Sequence, residues 1–88
     1  MYLHIGNHKN VRTRQIIGIF DLDTASSSAI TRSFIKRKEK EGKTVFAAEE
    51  IPKSFVLTDG GTVLFSQISS KRLLGRTEAF SENENDEI

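Results

Sequence analysis

The side chains here with the plainest chemistry are the thirteen lysines and arginines, since an exposed guanidinium or ammonium can hold an anion. Arg12 and Arg14 stand two apart. On an extended segment that spacing points both to the same face. Arg32, Lys36 and Lys40 recur every four residues with Arg37 adjacent, a spacing that forms one stripe on a helix and can run along phosphates. The same stripe is also what a solvated helix end with a favourable macrodipole looks like, and Glu39 and Glu41 partly offset it. Lys53 follows Pro52, and Lys71, Arg72 and Arg76 cluster further on. No aromatic is interleaved with these bases as a stacking platform would require, which favours contact with a duplex backbone over single-strand stacking.

Other candidate chemistry is thin. His4 and His8 have the i, i+4 spacing of a zinc pair, but only a helix would put them on one side, and here they fall in a strand and a turn. Asp21 and Asp23 could share a cation or a proton; a strand end leading into a helix explains the pair equally well. Gly6, Gly18, Gly60 and Gly61 make no phosphate-binding fingerprint, and no nucleophile motif is present. The chain has no cysteine, so disulfides and thiolate metal sites are excluded. The expectation is a non-enzymatic protein with no cofactor, no bound metal and no small-molecule substrate.

The elements that position the bases follow from periodicity. Residues 2–5 read as a strand and Asn7–Asn10 as a turn. Val11–Thr13 leads into a strong strand over Gln15–Phe20, whose near-continuous apolarity implies burial on both faces. Gly18 inside it invites close approach by another group. A helix is expected from about residue 27 to Glu41, with a serine as N-cap, Ile30, Phe34 and Ile35 as its apolar residues, and Gly42 as its stop. A third strand spans Lys43–Ala48. Phe55–Thr58 and Val63–Phe65 flank Asp59-Gly60-Gly61-Thr62, the clearest hairpin signal in the chain. Ser69 or Ser70 caps a short helix that carries Leu73 and Leu74 on its core side and ends at Gly75. The sum is an α+β fold: a small, mainly antiparallel sheet with one central helix and a short C-terminal helix.

Charge divides the chain. Residues 78–88 hold five of the twelve acids and no base, while residues 1–77 hold all thirteen bases and the other seven acids, a body of +6 beside a tail of −5. The expectation is one domain over residues 1–77 and an acidic disordered tail over 78–88. The opening residues do not read as a signal peptide and no run approaches 18 apolar residues, so a cytoplasmic protein with no membrane contact is expected.

Four segments carry a resemblance: Tyr2-Leu3-His4-Ile5-Gly6, Ile16-Ile17-Gly18-Ile19-Phe20-Asp21, Pro52-Lys53-Ser54, and Phe65-Ser66-Gln67-Ile68-Ser69-Ser70 continuing to Leu73. In order and spacing, over residues 1–76, they resemble the RemB branch of the RemA/RemB family of bacterial extracellular matrix regulators. The resemblance implies a LytTR-like fold, a ring-like homo-oligomer, and transcription regulation of biofilm-matrix genes through double-stranded DNA. In the RemA branch an arginine cluster before the hairpin supports DNA binding. Its counterparts here are Glu49, Glu50, Ile51 and Lys53, of which Lys53 alone is basic, and a second arginine of that branch falls at or beside Arg14. The candidate nucleic-acid contacts are therefore Arg12, Arg14, Arg32, Lys36 and Lys53. The alternative is a protein-interaction or structural adaptor module with little DNA affinity.

Overall fold

The computed structural model describes residues 1–48 and 50–77. Strand β1 (Tyr2–Gly6) turns back into β2 (Lys9–Arg12), and a 3-10 turn (Thr13–Gln15) leads to β3 (Ile16–Asp21). A one-turn helix α1 (Leu22–Ala25) and the longer α2 (Ala29–Lys40) follow, then β4 (Thr44–Ala47), β5 (Ser54–Thr58), β6 (Val63–Ser66) and a helix α3 over 70–77. The α+β class is as expected, and three of the four strand pairs are antiparallel.

Local chemistry accounts for the boundaries. Asn7 and His8 both have positive φ, 47° and 58°, and Gly6 pairs with Lys9. This two-residue loop matches the right-handed strand twist. Only Asn7 and His8 form the turn, so Lys9 and Asn10, expected in it, already belong to β2. The Ser28 hydroxyl caps α2 by accepting from the Thr31 amide. At its other end Gly42 takes φ 71°, the Lys43 amide donates to the Lys38 carbonyl (2.9 Å) and the Gly42 amide to that of Glu39 (3.1 Å). These two bonds close the helix in a Schellman motif. Asp21 accepts from the Asp23 amide and the Thr24 hydroxyl, so it is the N-cap of α1.

The sheets are β1-β2 and β3-β5-β6-β4, with β4 parallel to β6. In the larger sheet four rows run straight across all strands: Gly18-Leu57-Val63-Thr44, Ile19-Val56-Leu64-Val45, Phe20-Phe55-Phe65-Phe46 and Asp21-Ser54-Ser66-Ala47. One face packs Val56 and Ala47 against Leu3, Ile5 and Val11 of the hairpin and Leu73 of α3. The other packs Phe55, Val63 and Phe65 against Leu22, Phe34 and Ile35. Two buried serines tie the layers together. Ser66 Oγ donates to the Ile5 carbonyl (2.6 Å) and accepts from the Ile68 amide, and Ser54 Oγ donates to the Ile68 carbonyl (2.6 Å).

Several expectations are corrected. The run expected to be buried on both faces is an edge strand: β3 has no fully buried residue, and Ile17 is 64% exposed at a bulge. The interior place belongs to β5, where four of five residues are buried. Phe34 and Ile35 do face the sheet, but Ile30 is 83% exposed. Leu73 is buried whereas Leu74 is not, and α3 continues through Gly75 to residue 77. Ser69 caps α3 by accepting from the Arg72 amide. The close approach expected at Gly18 is made by Phe20, whose ring comes within 2.7 Å of where a Cβ on Gly18 would stand. The tail, residues 78–88, lies outside the described residues.

Candidate nucleic-acid interface

The five candidate bases are all exposed, but they do not form one cluster: Arg12 lies on β2, Arg14 and Lys53 lie at opposite ends of β3, and Arg32 and Lys36 lie on α2. Arg14 sits in the 3-10 turn at the start of β3, next to Gln15, whose carbonyl accepts from the Asp59 amide (2.8 Å). Lys53 sits at the other end. Its carbonyl accepts from the Leu22 amide (3.0 Å) and its own amide donates to Ser66 (2.8 Å), so its backbone is fixed while its side chain is exposed. β3 is six residues long, so Arg14 and Lys53 flank about 20 Å of strand, roughly six phosphate steps along one DNA strand.

Arg32 shares the Lys53 end. Its Nη1 donates to the Ser26 carbonyl (2.6 Å), and the Ser26 amide donates to Leu22, which ties the arginine to α1. Lys36 and Lys40 follow on α2 with exposed side chains, so the i, i+4 stripe exists as expected. Arg37 leans over the Phe34 ring and lies 4.0 Å from Glu41, which moderates its charge.

Arg12 does not share an extended segment with Arg14, because the chain leaves β2 at Arg12 and turns at Thr13. The same-face relation expected from their spacing therefore fails. Arg12 instead lies over the Tyr2 ring, 5.8 Å from its centroid, through the β1–β2 pairing. That exposed aromatic beside a base was invisible in sequence, since ten residues separate the two. Also missed were Lys38 and Lys43, whose ammonium groups converge on Gly61 in the β5–β6 turn. The helix stop at Gly42 folds one back beside the other, and Lys38 is further held by Glu41 (3.6 Å).

His4 pairs with Asn10 across the hairpin (3.2 Å) while His8 sits in the turn, so they form no metal pair. No group of three histidines, cysteines or carboxylates is gathered among the described residues. Nor is any described helix long and apolar enough to cross a membrane. The arrangement presents exposed positive charge at both ends of β3.

Residues 2–77 match the RemA-like family, described as extracellular matrix regulatory protein A-like, and the chain belongs to that family. It is 37% identical over 78 residues to extracellular matrix regulatory protein B of Bacillus subtilis (strain 168), covering 89% of this chain and 91% of that protein.

Proposed function

We propose that the protein is a non-enzymatic cytoplasmic regulator of extracellular matrix genes that binds double-stranded DNA as a ring-like homo-oligomer. It binds through its phosphate contacts, with a LytTR-like domain as the DNA-binding unit. Family membership supports the regulatory role, and the observation that carries the DNA contact is the pair Arg14 and Lys53, exposed at the two ends of β3. Repetition of that pair around an assembly multiplies weak contacts, and sequence preference then comes largely from DNA shape and bendability.

Fluorescence anisotropy with duplex DNA across a salt series is the test. Replacing Arg14 and Lys53 with Ala is expected to lower affinity at least tenfold and to flatten the salt slope by about one unit per lost contact. Unchanged affinity after Arg12, Arg32 and Lys36 are neutralised as well would overturn the phosphate-contact reading.

A second reading, a protein-interaction adaptor, is favoured by Glu50, an exposed carboxylate in the loop where the resemblance implies an arginine. Capture of a specific protein with no recovered nucleic acid would support it.

A further inference from the structure

The Phe20-Phe55-Phe65-Phe46 row stops unfinished at both sheet edges. Phe20 stacks on Phe55 at 5.0 Å and Phe46 on Phe65 at 4.6 Å, yet the outer members are 41% and 51% exposed. Among the described residues no strand pairs with the outer side of β3 or of β4. An apolar groove of about 270 Å³ lies along the β3 side, lined by Phe20, Ala25, Ile30, Phe34, Phe55 and Leu57. Exposed apolar edges of this kind are sites of strand addition.

We infer that the β4 edge of one copy docks on the β3 edge of the next, continuing the sheet in parallel and placing Phe46 of the second copy against Phe20 of the first. The inference rests on the self-association in the function proposed above and adds its geometry. Three features single out a second copy as the occupant. First, the lengths agree: beyond the bulge at Ile17, β3 offers the regular segment Gly18 to Asp21, and β4 is the four residues Thr44–Ala47. Second, the rows agree. β3 and β4 already run parallel, two strands apart, so a copy in the same orientation extends all four rows with Thr44 beside Gly18 and Phe46 beside Phe20. Third, a carboxylate meets the bases that lead into β4, residues 36–43 holding five bases and two acids. Asp59, beside Gln15, would stand roughly 10 Å from the backbone of the next copy's Lys43, within a lysine's reach.

The two joined surfaces are different, so the contact is head-to-tail and closes as a ring or runs on as a filament. Sedimentation velocity and cross-linking of the full chain test it. Phe20→Asp and Phe46→Asp are each expected to convert the assembly to monomers. Mixing the two variants should restore one sound junction and give a one-to-one dimer. As a milder check on folding, Phe20→Cys and Phe46→Cys chains are mixed under oxidation, the chain having no cysteine of its own. A disulfide between the two variants, with little within either alone, supports the inference, because neighbouring strands bring Cα atoms within disulfide range.

An intact assembly in all these variants would overturn the inference while leaving DNA binding in place. Preferential linkage of Phe20→Cys to itself would show a symmetric contact and overturn it too. A wild-type chain that is monomeric yet binds DNA would remove the assembly altogether.

Discussion

Ser66 concentrates more of the structure than any surface base does. Its hydroxyl is fully buried and holds the Ile5 carbonyl and the Ile68 amide at once, so it joins the hairpin, the sheet and the approach to α3. Ser66→Ala would leave both backbone groups short of a partner in a dry layer. A loss of about 1–3 kcal/mol is expected, seen as an earlier midpoint in urea with an unchanged slope. The candidate site was partly legible at this scale. Exposure of Arg14, Lys36 and Lys53 follows from their type and neighbours. The convergence of Lys38 and Lys43 and the Tyr2–Arg12 contact do not, because each depends on how separated segments fold back.

At the scale of elements, legibility followed the strength of local signals. The Gly60-Gly61 hairpin and the capped helix α2 are dictated by residues within a few positions of their ends. The break at Thr13 and the parallel β4–β6 pair have no such signal. Apolar content likewise cannot tell an interior strand from one whose exposed face awaits a partner, and that is how β3 misleads. The β1–β2 turn offers a test of local strain. His8 holds a positive φ that costs an L-residue roughly 1–2 kcal/mol, only part of which glycine's extra chain entropy returns. His8→Gly is therefore expected to stabilise the protein by up to about 1 kcal/mol, measurable as a raised thermal midpoint.

For the molecule as a whole, the separation of +6 from −5 along the chain is the dominant electrostatic fact. We propose that the acidic segment 78–88 competes with DNA for the basic surface. Its removal is then expected to raise affinity at low salt several-fold, with the gap narrowing as screening shortens the range of charge. Equal affinities at every salt concentration would leave the segment as a solubility feature. Duplex binding by anisotropy on the full and shortened chains measures this directly.

The bond from Ser66 to Ile5 also orders events on the ribosome. The β1–β2 hairpin emerges before its cover, because Leu3, Ile5 and Val11 pack on strands and a helix translated later. At a synthesis rate of about 5–20 residues per second the hairpin waits roughly 3–12 s for its platform. Synonymous slow codons ahead of β6 would lengthen that wait, so the yield of native protein should respond to translation speed in the second half of the message more than in the first.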